Sequence, residues 1–115
     1  MTEKELEEKF TCSAEAVGGR IYKIESPENA GFPSRLVILP GGHIGFVDLK
    51  QDVEKPTKIL FSQTRRLRDS GCAACVLDKE KDIPRVLEYI MSDAGKDKAW
   101  QMFKLQAGLE KEGLL

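Results

Sequence analysis

Residues 31–50 read GFPSRLVILPGGHIGFVDLK. RLVIL, 35–39, and HIGFVDLK, 43–50, have the branched, apolar character of strands, and Pro40-Gly41-Gly42 between them is a short hairpin signal. The second strand ends Asp48-Leu49-Lys50. Side chains of a strand alternate between faces, so Asp48 and Lys50 project from the same one. LVIL, 36–39, is apolar throughout, which predicts a central strand covered on both faces.

Outward from the hairpin, residues 2–17 read as a helix. Thr2 and Glu5 have the spacing of a capping box. Leu6, Phe10, Ala14 and Val17 form one apolar stripe, and Gly18-Gly19 ends it. IYKIE, 21–25, alternates like a strand, and SPENAGFPS is a loop rich in turn residues. Residues 51–56 read as a polar loop and 57–70 as a second helix closed by Gly71. CAACVLD, 72–78, reads as a short buried strand. Asp82 is placed to cap a third helix, with Pro84 in its first turn and Val86, Leu87 and Ile90 inside. The fourth strand follows a helix, so it can join the sheet parallel to its neighbour by a crossover. The order α-β-β-β-α-β predicts a small α/β domain with a mixed sheet flanked by helices. Residues 1–94 are assigned to this domain. Residues 95–115 are assigned to a helical extension that packs on it or on another copy through Trp100, Met102, Phe103 and Leu105.

The 115 residues are enough for one domain, and 41% are hydrophobic, enough for one core. Net charge is -1, so any contact with nucleic acid must come from a local basic patch. No apolar run is long enough for a membrane span, the acidic N-terminal segment does not resemble a secretory signal, and three cysteines fit a reducing cytoplasm. Cys72 and Cys75 have CxxC spacing, but with Cys12 and His43 scattered they lack the remaining zinc ligands, so a structural role is expected. His43 is expected to be an exposed strand residue.

Phosphodiester hydrolysis at neutral pH needs a metal that makes hydroxide and neutralises developing charge. Mg²⁺ takes oxygen ligands and keeps several waters, so two carboxylates and a backbone carbonyl suffice. Asp48 and the Leu49 carbonyl are such ligands, and Lys50 can orient water or stabilise charge on phosphate. On the tripeptide alone, a solvated ion pair explains Asp48 and Lys50 far better, because D-x-K is common by chance.

The wider stretch weighs differently. Gly31-Phe32-Pro33-Ser34-Arg35-Leu36-Val37, the glycine turn, and Gly45-Phe46-Val47-Asp48-Leu49-Lys50 resemble the VRR-NUC family, the virus-type replication-repair branch of the PD-(D/E)xK nucleases. The family pattern is G-x-P-D-R-L-V, a glycine turn, then an acid-x-lysine strand. The resemblance covers roughly residues 3–90. It implies a restriction-endonuclease-like fold and a metal-dependent endonuclease acting on branched double-stranded DNA such as Holliday junctions. It also implies Mg²⁺ or Mn²⁺ as cofactor, a homodimer, and a bacterial or phage-infected cytoplasm. Asp48 and Lys50 match the family acid and lysine, and Glu3 or, one turn on, Glu7 matches a first-helix glutamate. Gln63 is the available counterpart of a second-helix glutamine, although ungapped alignment puts Leu60 nearer that position.

Ser34 stands where the family carries a metal-binding aspartate. A neutral hydroxyl is a poor Mg²⁺ ligand beside a carboxylate. Three readings stay open: an acid has migrated, with Glu25 and Glu28 nearest in sequence; the chain is an inactive member that still binds branched DNA; or the aspartate was removed deliberately. Lys55, Lys58, Arg65, Arg66 and Arg68 lie in a segment without acids and can hold phosphates beside Asp48. A solvated helix face is the competing reading. A domain that binds protein partners through the aromatic C-terminal segment is a third hypothesis.

Overall fold

The computed structural model describes residues 1–50 and 57–92. The expected polar loop at 51–56, Lys55 within it and the extension from residue 95 lie outside the described residues. The elements are α1 (Glu3–Ala16), β1 (Arg20–Lys23), β2 (Arg35–Leu39), β3 (His43–Leu49), α2 (Lys58–Asp69), β4 (Ala73–Leu77), a 3₁₀ turn (Glu80–Asp82) and α3 (Ile83–Met91). The predicted α-β-β-β-α-β order holds. The sheet runs β1-β2-β3-β4, antiparallel up to β3 and parallel between β3 and β4, with α2 as the crossover.

The capping box forms: Glu5 N–H donates to Thr2 Oγ1 at 3.1 Å, and Thr2 N–H donates to Glu5 Oε1 at 3.2 Å. Leu6, Phe10 and Ala14 are buried, as their spacing predicts. Val17 departs from the stripe. It is the C-cap and stays exposed, because the chain leaves the helix axis at Gly18 before a further turn can face the sheet. Gly41 and Gly42 take φ of +85° and +77°, the left-handed region where a Cβ is strained, so the β2–β3 turn needs both glycines.

β2 is central, but it is covered on one face only: Arg35, Val37 and Leu39 are buried while Ile38 is exposed. The reason is where the helices sit. α1 and α3 cover one face of the sheet, whereas α2 packs on β4. Hence β4 is buried at all five positions although it is an edge strand. Its outer edge is closed at Ala74, whose N–H donates to Tyr89 Oη at 3.0 Å and whose carbonyl accepts from Arg68 Nη1 at 3.2 Å. Burial pushes the Tyr89 hydroxyl up to about 12. It also pushes the Cys75 thiol up to about 12, within the main core, consistent with a structural CxxC.

α3 starts differently from expectation. Asp82 stands at the N-cap position, but its side chain makes no cap hydrogen bond, because the preceding 3₁₀ turn sets its backbone near φ -90°, ψ -4° rather than the extended form a capping side chain needs. Val86 and Ile90 are buried as read, Leu87 is half-buried against the same core, and Tyr89 joins them. His43, at the start of β3, is half-buried rather than exposed.

Candidate active site

The register of β2 and β3 pairs Arg35 with Val47, so one step further Ser34 stands across from Asp48 on the α2 side of the sheet. Ser34 N–H donates to Asp48 Oδ1 at 2.9 Å. The other carboxylate oxygen, Oδ2, lies 3.5 Å from Lys50 Nζ. The two oxygens of one carboxylate therefore face different groups, a backbone donor and a side-chain ammonium. Asp48 is only 6% exposed, so its charge is held by these partners more than by water.

Two further oxygens belong to neighbouring positions of the hairpin. Ser34 Oγ is buried and has no hydrogen-bond partner, which is unusual for a hydroxyl. Continuing the register another step sets Leu49 across from Pro33, which has no N–H, so β2 offers no ladder donor to the Leu49 carbonyl. Carboxylate, carbonyl and hydroxyl form an oxygen-only set, which fits a hard divalent cation, with one carboxylate instead of the usual two. Among the described residues no three His, Cys, Asp or Glu side chains converge.

The remaining candidates sit elsewhere. Glu3 is exposed in the first turn of α1. Glu7 accepts from Arg35 Nε at 3.1 Å, so its carboxylate is engaged by a cation. Glu25 and Glu28 are exposed on the loop after β1. Gln63 Nε2 donates to the Ala30 carbonyl at 3.4 Å, tying α2 to the loop that leads into β2. That loop lies hard against α2: Gly31 has φ +74°, and a Cβ there would stand 2.5 Å from Ile59 Cγ2 and 2.8 Å from Leu60 N. Lys58, Arg65 and Arg66 are exposed on α2, while Arg68 is half-buried and serves the Ala74 carbonyl. Sequence reasoning gave Arg35 no role beyond the motif. The signal was present, since a charge at an inward strand position next to Val37 and Leu39 requires a partner.

No family model matches the sequence. A curated phage protein, "Putative nuclease p44" of Acyrthosiphon pisum secondary endosymbiont phage 1, is 38% identical over 88 residues, spanning 76% of this chain and 94% of that protein. A solved VRR_NUC domain matches with a TM-score of 0.68 at 29% identity, covering 76% of this chain and 97% of that one. The chain belongs to the VRR-NUC nuclease family. Its mixed four-stranded sheet and its flanking helices are those of a small VRR-NUC fold. By family, the protein is therefore a nuclease. Among the described residues, no helix is long and apolar enough to cross a membrane.

Proposed function

We propose that this VRR-NUC protein is a metal-dependent DNA endonuclease that acts on branched DNA such as Holliday junctions. The observation that carries the reading is Asp48. Its Oδ1 is fixed by the Ser34 N–H, and its Oδ2 faces Lys50. Asp48 and the Leu49 carbonyl would hold Mg²⁺ or Mn²⁺, with Ser34 Oγ at the family's second acidic position. When bound, such an ion supplies Lewis acidity and a hydroxide at neutral pH. Lys50, a compact ammonium on a flexible stem, leaves Asp48 to meet the scissile phosphate and stabilise charge there. Lys58, Arg65 and Arg66, with Lys55 and the partly engaged Arg68, hold the phosphate backbone and so select DNA by shape. A homodimer would present two such sites with the two-fold symmetry of a four-way junction.

A second reading is a DNA-binding module that no longer cuts. Ser34 favours it, because removal of one carboxylate weakens the hold on a divalent ion. The test is Mn²⁺-dependent cleavage of a labelled four-way junction, with gel-shift binding on the same samples, beside Asp48→Ala and Ser34→Asp. Cleavage by the chain as it stands, lost in Asp48→Ala, supports the endonuclease. Binding without cleavage, with cutting restored only in Ser34→Asp, selects the binding module. Neither cutting nor binding in any variant overturns both.

A further inference from the structure

Arg35 is 3% exposed, on the closed face of the sheet between α1 and β3. A guanidinium there is expensive, and a well-packed apolar side chain of similar size is often as stable or more so. Its hydrogen bonds indicate what it does. Nε donates to Glu7 Oε1 at 3.1 Å, and Nη1 donates to the Ser34 carbonyl at 3.1 Å. That carbonyl also accepts from the Ile24 N–H at 2.8 Å. On the other side of the same residue, the Ser34 N–H donates to Asp48 Oδ1. Both peptide groups of Ser34 are thus gripped: one by β3 through Asp48, the other by the end of β1 and, through Arg35 and Glu7, by α1.

We propose that Glu7 and Arg35 are a positioning pair for the site. The rigid guanidinium fork converts the place of α1 into a fixed direction for the Ser34 backbone, and through its N–H into a fixed orientation of the Asp48 carboxylate. Position 34 is held for a side chain aimed beside Asp48 whether that side chain is serine or aspartate. Glu7 is then the counter-ion of Arg35 and not a metal ligand. The inference rests on the proposed function for its purpose, but not for its geometry.

The experiment is amide hydrogen exchange by NMR on the full chain without metal, followed by Mn²⁺ titration of the same samples. Arg35→Met keeps length and apolar packing. Arg35→Lys keeps the charge for Glu7 but cannot fork, and serves if the first variant does not fold. Both should lower protection of the Ser34 amide by about tenfold or more, while the Val47 and Cys75 amides stay within about twofold. Both should also weaken Mn²⁺ binding, whereas Glu7→Gln, which keeps an acceptor, should weaken it far less than Asp48→Ala. Unchanged protection at Ser34, a uniform loss across the sheet, or a Glu7→Gln effect equal to that of Asp48→Ala would overturn the proposal. Selective loss at Ser34 with no Mn²⁺ binding in any sample, the parent included, would leave the positioning pair standing and count against the nuclease reading.

Discussion

On the face of the sheet toward α1 and α3, Val37, Leu39, Val47 and Leu49 are at most 2% exposed; on the face toward α2, Ile38 and Ile44 from the same two strands are 37% and 47% exposed. Asp48 and Lys50 lie on this second face, as does Tyr22, which pairs with Leu36. On this second face α2 packs over β4, where Leu60, Phe61 and Val76 meet, while Ile38 and Ile44 on β2 and β3 stay exposed. Among the described residues, one face is closed over the main core, whereas the other carries Asp48 and Lys50 beside exposed apolar side chains. The main core and the proposed site lie on opposite faces of one sheet, and Arg35, on the core face, bonds the backbone of Ser34, which stands across from Asp48.

Substitutions can break that separation if it is wrong. The largest effect is expected on the open face. Asp48→Asn keeps an acceptor for the Ser34 N–H but removes the charge. Junction cleavage should fall by about a hundred- to a thousandfold, while thermal unfolding shifts stability by less than about 1 kcal/mol. On the closed face, Phe10→Ala should do the opposite. It opens a hole under β2 and β3 and should cost about 3–5 kcal/mol in urea unfolding, with cleavage per folded molecule unchanged.

The outer edge of β4 gives a smaller effect. Tyr89→Phe leaves the Ala74 N–H buried without its acceptor, which should cost about 1–3 kcal/mol. It should also alter the alkaline response. In the unfolded chain the Tyr89 hydroxyl releases its proton near its ordinary 10.0 and the Cys75 thiol near 9.0, whereas the folded protein holds both to about 12. The stability they contribute is complete below those ordinary values and is lost as pH rises toward about 12. Equilibrium unfolding between these limits should show a shallower alkaline loss in Tyr89→Phe than in the parent. An equally steep fall would remove Tyr89 as its source. The smallest effect belongs to the exposed cations of α2. Lys58→Ala and Arg65→Ala should each lower the slope of log affinity against log salt by about 1 in junction binding, with stability changed by less than about 0.5 kcal/mol.

How far the sequence reached follows the range of the forces involved. The β2–β3 hairpin, the capping box of α1 and the buried run of β4 are local patterns, and each stands where its residues put it. Patterns failed where a neighbour distant in sequence decides. An apolar run such as LVIL cannot say which helix will cover it, so Ile38 was expected inside, while the edge strand β4 is the one sealed on both faces. The stripe of α1 ran on to Val17 because periodicity does not record where the chain turns away. Ser34 was tied to Asp48 only through the family resemblance, and the strand register sets the two across from each other. The link from Glu7 to Arg35, 28 positions apart, was not legible, and neither was Tyr89 on Ala74. An inward-facing charge announces that it needs a partner without naming it.

In the proposed site, position 34 and Asp48 share one divalent cation. Calorimetric Mn²⁺ titration of the parent, Ser34→Asp and Asp48→Asn tests it most directly. Binding should be weak in the parent, tighter by about tenfold or more in Ser34→Asp, and absent in Asp48→Asn. Equal affinity in the parent and Ser34→Asp, or binding that survives Asp48→Asn, would contradict it.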